Sequence, residues 1–332
     1  MIKTILKYFY VHGLALYSRW QLSRAESQLL ILMYHRVLPK DDPRARLEEP
    51  GMMVTPRTLA MHIDQLRRSG YTIVKLGDWL KAYQSGNPPK GTCVALTFDD
   101  GWLDNYQYAF PILRSKQAPF TLFAVSDILG KAAPFWPNQI LKLLRSSNAQ
   151  ALLSQPLFTQ LNLSEGNASP IDNELLAELI SKLKLFPDEH IHQTLAPFQE
   201  QLDSAEPDII NQQQMQEMLD SGLMELGCHT ASHCRMHSDL SEQQLHKELI
   251  ESKRSLEQQF AIPIELFCYP NGDITPAAKA LASEHYLAAV STENGSNCSS
   301  EPLPLHHLKR IALHDDMSKS AALFHAKLST RL

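Results

Sequence analysis

The sequence predicts an α/β fold in which about seven or eight parallel strands close into a barrel, with one helical insertion interrupting the repeat. Short apolar runs rich in β-branched residues alternate with segments of helical period, the pattern of repeated βα units around a parallel sheet. Eight such runs can be counted, a number that suits a barrel. The length of 332 residues accommodates one barrel plus an insertion.

Taken in order, residues 1 to 25 come first. They carry Lys3, Lys7, Arg19 and Arg24 without an acid, interleaved with Ile5, Leu6, Phe9, Val11, Leu14, Leu16 and Trp20. Two readings stay open: a helix docked on the fold, or a basic amphipathic helix making peripheral contact with an anionic membrane surface. As a secretory signal the segment is poor, because His12 interrupts its apolar stretch and no small-residue cleavage site follows. No apolar run reaches the roughly 18 residues of a spanning helix.

The strand candidates are Leu29 to Tyr34, Thr72 to Lys75, Cys93 to Phe98, Phe120 to Val125, Leu223 to Cys228, Ile264 to Tyr269, Tyr286 to Ser291 and Leu308 to Leu313. Thr55-Pro56 and Thr275-Pro276 each offer a capping hydroxyl followed by proline at the first helical position, so helices should start there. Ser241 with Gln244 fits a capping box, and Leu245, Leu249, Leu256 and Phe260 then recur on one helical face. From about Lys131 to Met215 strand signals stop. Glu174 to Leu185 and the run around Gln212 to Glu217 read as helices, and Ser164 to Pro170 as a loop by its turn chemistry. The expectation is a helical subdomain laid over one end of the barrel with no separate core. The implied division is a basic segment 1–28, a barrel 29–315 with its insertion at about 131–215, and a closing helix 316–332.

Hydrophobic residues make up 44% and charged residues 20%, with no low-complexity tract or short repeat, so disorder and solenoid readings drop out. A formal net charge of -5 gives no global basic field, which argues against nucleic acid as a partner. The five cysteines are odd in number and several fall inside apolar strand runs, which suits a reducing compartment. The expected location is therefore cytoplasmic, at the cytoplasmic face of the inner membrane if residues 1–25 hold a lipid surface.

Chemistry concentrates at two strand ends. Asp99 and Asp100, in Thr97-Phe98-Asp99-Asp100-Gly101, follow an apolar run, and the mouth of a parallel barrel at its strand ends is where active sites form. One carboxylate can hold a metal while its neighbour handles a proton; an Asp-Gly turn with a helix cap is the structural alternative. His229 and His233 stand four apart after Leu223 to Cys228, a spacing that suits two ligands of one cation and also arises by chance among 14 histidines. Cys228 and Cys234 flank the pair, so a closed structural zinc site is a further alternative, although Cys228 should point away from His229. The mixed carboxylate and histidine set, with room for water, fits a catalytic site better.

Together the two segments resemble the NodB-like polysaccharide deacetylases, carbohydrate esterase family 4, whose first motifs are TFDDG and H-(S/T)-x-x-H. Further similarity runs through Leu32 to Val37, Pro119 to Phe123 and Phe267 to Gly272, so that about residues 29 to 315 are covered except for most of the insertion. The resemblance implies a distorted (β/α) barrel and a metal-dependent hydrolase that removes N-acetyl groups from amino sugars of a surface polysaccharide or its precursor. It implies Asp99 as general base, Asp100, His229 and His233 as metal ligands, and a backbone N–H at Asn271 for the oxyanion. The divalent metal would be Zn2+ first, since imidazole suits it, with Co2+, Ni2+ or Fe2+ also admitted. The family's later L-x-H motif supplies a general acid. Leu305-His306-His307 has the letters but precedes the last strand, and His314 follows that strand but lacks the intervening residue, so the role is given to His314. Cys268 stands where many members have an arginine that steadies the catalytic aspartate, in an F-x-Y-P-x-G pattern similar to the exopolysaccharide-processing branch. That leaves Arg310 and Arg36 as candidates to orient Asp99. His35 either lines the mouth or packs structurally, and Trp102, Trp136 and Tyr106 either stack on sugar rings or belong to the core. Removal of O-acetyl groups, and polysaccharide binding without turnover, are the competing functions.

Overall fold

In the computed structural model, which describes residues 2–24, 27–48, 51–132, 135–161, 173–203, 206–299 and 302–331, every run expected to be a strand forms one. Among the described residues the eleven strands are β1 (Ser27–Tyr34), β2 (Arg36–Val37), β3 (Met53–Val54), β4 (Thr72–Val74), β5 (Gly91–Phe98), β6 (Phe120–Ala124), β7 (Met224–Cys228), β8 (Leu266–Cys268), β9 (Ala288–Asn294), β10 (Asn297–Cys298) and β11 (Leu308–Ala312). Seven of them close a parallel barrel in the order β1-β11-β9-β8-β7-β6-β5, with β5 returning to β1. The eighth expected strand, β4, stays outside. It pairs with Cys93 to Ala95 on the edge of β5 that β6 takes at Thr97 and Phe98, so the ring closes without it.

Alternation along the strands divides the core into two layers. Leu29, Ile31, Cys93, Ala95, Phe123, Leu266, Cys268, Ala288, Val290 and Leu308 form one buried cluster with Leu76, Trp79 and Leu80 of the helix Leu76–Gln84. Their neighbours Leu30, Leu32, Tyr34, Val94, Leu96 and Phe98 pack outward against the surrounding helices. Each such fully buried side chain stabilises the fold by roughly 1.5–3 kcal/mol. Gly77 donates its N–H to the Glu225 carboxylate near the start of β7, and a Cβ there would run into that carboxylate. The helix therefore plugs the end where strands begin, leaving the opposite end for chemistry.

The capping signals behave as their chemistry requires. Thr55 and Thr275 accept the N–H groups of Thr58 and Ala278, each ahead of a proline, and Ser241 with Gln244 makes a reciprocal capping box. The helical run from Glu242 contains a wide turn at Lys247–Glu251 and ends at Phe260, with Ala261 left-handed.

The insertion differs from the expectation in one respect. Its helices, among them Trp136–Leu144, Asn173–Leu183 and Asp188–Leu195, bury a cluster of their own that includes Trp136, Ile140, Leu143, Leu152, Phe158, Leu179, Leu183, Ile191 and Phe198. The apolar stripes of these helices face one another. The polar stretch Ser164 to Pro170 lies outside the described residues.

The first helix, Ile2–Ser23, docks through Val11 and Ala15 on the helix Ala321–Leu328. Among the described residues no helix is long and apolar enough to cross a membrane.

Candidate active site

The parallel pairing of β1 with β5 runs in register to Tyr34 opposite Phe98, which makes His35 and Asp99 the next residues on adjacent strand ends. The Asp99 N–H donates to the Tyr34 carbonyl at 3.0 Å. Sharing the parity of Cys93 and Ala95, the Asp99 side chain faces the barrel interior. There it meets Arg310 of β11, whose two terminal nitrogens donate to Asp99 Oδ1 and Oδ2 at 2.7 Å each. The same guanidinium donates to the Ser291 carbonyl (2.8 Å), Thr97 Oγ1 (3.2 Å) and Cys268 Sγ (3.1 Å). Both partners are fully buried. Burial alone would push the Asp99 carboxyl up, but the Arg310 charge and its paired hydrogen bonds overcome this and hold it below the usual carboxylate range. Of the two arginines considered from sequence, Arg310 is the one that reaches Asp99. Arg36 instead pairs with Asp104, Glu48 and Asp208 and lies over the Trp102 ring at 3.8 Å.

Asp100 follows with φ 74°, a left-handed turn that swings its carboxylate back to the mouth. Trp102 Nε1 donates to Asp100 Oδ2 at 2.8 Å, which fixes the carboxylate and turns Oδ1 toward the two histidines. Asp100 Oδ1 lies 3.3 Å from His229 Nε2 and 3.4 Å from His233 Nε2. His229 Nδ1 is 2.8 Å from the Cys268 carbonyl, an acceptor only, so Nδ1 carries the proton and Nε2 offers its lone pair. Asp100 Oδ1 is buried yet has no hydrogen-bond partner. An unpaired buried carboxylate oxygen facing two imidazole nitrogens, all within 4.8 Å of one another, is the donor set and spacing that a divalent cation fits.

Asp99, His229 and Cys268 also converge, but Arg310 already donates to both Asp99 oxygens and to the Cys268 sulfur. A cysteine-histidine zinc site is not formed: Cys228 Sγ meets Ser252 Oγ and Cys234 Sγ turns to the Arg235 carbonyl.

Four of the seven non-glycine residues with positive φ among those described, Asp100, Thr230, His233 and Asn271, belong to this mouth, the local strain expected where a site is over-determined by its surroundings. What holds the histidine loop is Glu248, in the wide turn of its helix. Its carboxylate accepts the N–H groups of Ala231 and Ser232 at 3.0 Å and the Ser232 hydroxyl at 2.9 Å. Arg235, also buried, donates to Asp188 and to the Lys184 and Phe186 carbonyls, tying the loop to the insertion. Neither Glu248 nor Arg235 was singled out from the sequence. A capping-box helix that starts at Glu242, beyond the histidine loop, gives no local sign that one of its acids will fold back on that loop.

Above these groups lies a cavity of about 590 Å³ lined by His35, Asp99, Asp100, His229, His233 and Asn271, and from the insertion by Phe135, Trp136, Lys184, Asp188, Glu189 and His192. His314 is not among the lining residues; its Nδ1 lies 3.7 Å from Asp316 and it precedes a short helix. The histidine beside Asp99 is His35, with Nε2 3.8 Å from Asp99 Oδ2 and a side chain 18% exposed to the cavity. Of the aromatics, Trp102 is 1% exposed and serves to orient Asp100, Tyr106 donates to Glu217, and Trp136 lines the cavity.

Comparison with known proteins agrees with this architecture. The polysaccharide deacetylase family model matches residues 86–152 and 181–290, more than half of the chain. The protein named "Putative polysaccharide deacetylase YxkH" of Bacillus subtilis (strain 168) is 22% identical over 305 residues, which cover 92% of this chain and 78% of that one. The poly-beta-1,6-N-acetyl-D-glucosamine N-deacetylase of Escherichia coli (strain K12) is 37% identical over 68 residues, only 20% of this chain and 10% of that protein. Among solved structures, the Streptococcus pyogenes deacetylase PplD in complex with acetate superposes with a TM-score of 0.60 at 19% identity, covering 91% of this chain and 99% of that one. IcaB from Ammonifex degensii gives 0.57 at 18% identity, covering 91% and 98%. These structural likenesses establish the shared fold, and the family model together with the seven-stranded barrel leads to one conclusion: the chain belongs to the polysaccharide deacetylase family.

Proposed function

We propose that the protein is a metal-dependent carbohydrate N-deacetylase that hydrolyses N-acetyl groups on amino sugars of a surface polysaccharide or its precursor. The observation that carries this is the side-by-side placement of two carboxylates in different states. Asp100 presents a bare oxygen to two imidazoles, while Asp99 is clamped as an ionised base in the same cavity.

Asp100, His229 and His233 would hold the cation, zinc by preference for imidazole ligands. When bound, such a cation polarises the acetyl carbonyl and lowers the pKa of a water toward neutrality. Asp99 accepts the water's proton. Two of its roughly four lone-pair positions are taken by Arg310 and the Cys268 thiol approaches Oδ2 at 3.6 Å, which leaves room for one donor from the cavity that Asp99 lines. The pairing lowers basicity but ensures the ionised form at neutral pH, and general-base catalysis of this kind contributes on the order of 10² to 10⁴ in rate. Asn271, left-handed at the mouth, supports charge on the carbonyl oxygen through its backbone N–H. His35, rather than His314, donates the proton to the departing amine, since it lines the cavity beside Asp99 and stands outside the ligand set of Asp100, His229 and His233. Acetate and a free amino sugar result.

Acetate release measured in parallel on an N-acetylated and an O-acetylated oligosaccharide, with metal content determined on the same sample, tests this reading. Release from the N-acetylated substrate by metal-loaded protein is expected. Release from the O-acetylated substrate alone would make the protein a carbohydrate esterase, and no release from either would leave it a binding member.

A further inference from the structure

The first helix has two apolar faces, and folding uses one of them. Val11, Ala15 and Leu22 turn inward, the first two against the helix Ala321–Leu328 and Leu22 into the main core. On the opposite side Phe9, Gly13, Leu16 and Trp20 recur at helical spacing, and Phe9, Leu16 and Trp20 are 68%, 68% and 54% exposed. Tyr8 and Tyr10, 59% and 57% exposed, flank this stripe with their polar tips. These are five of the six large hydrophobic side chains found exposed among the described residues, so the stripe is a concentrated feature and not scattered exposure.

The charge of the same region runs against the rest of the chain. Residues 2–24 and 317–331, which form the two packed helices and their ends, carry Lys3, Lys7, Arg19, Arg24, Lys319, Lys327 and Arg331 and no Asp or Glu, in a chain whose formal net charge is -5. The Arg24 guanidinium lies 4.6 Å over the Trp20 ring and that of Arg331 4.4 Å over Tyr17, which places cations beside the aromatic rim. A second copy of the chain would bring these cations against one another with no acid on the helix to pair them. An anionic lipid surface supplies the opposite charge, an apolar layer for Phe9 and Leu16, and the interfacial zone that tryptophan and tyrosine favour.

We propose that the outer face of helix Ile2–Ser23 is a peripheral membrane-binding surface that lays the protein on anionic lipid without crossing it. This stands independently of the chemistry assigned to the barrel.

The test uses the full chain with phosphatidylglycerol vesicles, phosphatidylcholine vesicles as the control, and the triple variant Phe9→Gln, Leu16→Gln, Trp20→Gln, whose sites face away from the core. Flotation should recover the wild-type protein with phosphatidylglycerol vesicles only, and the triple variant should partition about tenfold less or weaker at an unchanged melting temperature. Raising salt from about 0.1 to about 1 M, which shortens the screening length from about 10 to about 3 Å, should release most of it. Of the four tryptophans, Trp79, Trp102 and Trp136 are buried, so vesicle-induced protection from acrylamide quenching reports on Trp20. No binding to phosphatidylglycerol vesicles, equal binding to both lipids, or binding unchanged in the triple variant overturns the proposal. So does a concentration-dependent dimer that the triple variant abolishes, which would assign the face to a second copy.

Discussion

Replacing Arg310 by glutamine removes a guanidinium that makes two 2.7 Å bonds to Asp99 inside the barrel, where both side chains are almost wholly buried. Two consequences follow, of different size and separately measurable. Losing one partner of a buried ion pair leaves the other uncompensated, which costs on the order of 3–5 kcal/mol of stability. Without the positive charge, the burial that raises the Asp99 carboxyl is no longer offset by Arg310, so its pKa rises and the ionised, positioned base is depleted. Turnover should then fall by something approaching the general-base factor of about 10² to 10⁴. Bound metal should stay near the wild-type level, because Arg310 donates to none of Asp100, His229 and His233. Urea unfolding, acetate release and metal content on one preparation separate these effects. The double variant Arg310→Met, Asp99→Asn removes both charges, and should recover much of the stability while remaining inactive. An Arg310→Gln enzyme with undiminished turnover would refute the assignment of Arg310 as the residue that positions and ionises Asp99.

His35→Ala should lower turnover by about 10² to 10⁴ with metal retained, whereas His314→Ala should leave it within about twofold, read from acetate release at saturating substrate. His62 gives a pH prediction. It is buried, 2.8 Å from the Ser318 carbonyl and 3.1 Å from the Tyr34 hydroxyl, and burial pushes its pKa down to about 4. The unfolded chain, with an ordinary value of about 6.5, binds that proton more readily. The contribution to stability is therefore complete above about pH 6.5 and is lost as pH falls toward 4, by on the order of 3 kcal/mol. Unfolding free energies of wild type and His62→Phe across pH 4 to 7 should show the wild type losing more; parallel curves would contradict it.

Strand positions were legible in the sequence because each is a short, largely apolar run set between helical or turn segments, and strand ends located both chemical motifs. Pairing was not legible. That β4 lies outside the ring depends on β5 giving one whole edge to β1 and dividing the other between β4 and β6, a choice that no local pattern encodes. The same gap hides the nearness of His35 to Asp99. The family's letters lead to the last strand and His314, while His35 sits one residue past β1 as Asp99 sits one residue past β5. Tyr34-His35 and Phe98-Asp99 were the available signal, readable only once those two strands are known to be neighbours in register. Arg310 was likewise nameable but not decidable, since its partner comes from β5, which only the shared neighbour β1 brings close to β11. The insertion's core was underestimated because its helices are short and their apolar stripes make sense only against one another.

The central claim is that two adjacent carboxylates do different work, Asp100 as a ligand and Asp99 as a base, and their amides should fail differently. Asp100→Asn removes the charged oxygen from a three-residue set, so bound metal and activity should fall together. Asp99→Asn keeps its shape but cannot accept a proton, so metal should remain at about one equivalent per chain while turnover drops by about 10² to 10⁴. Metal stoichiometry and deacetylation rate on the two purified variants measure this directly. Loss of metal from Asp99→Asn with retention in Asp100→Asn would reverse the roles, and full metal with full rate in both would place the site elsewhere.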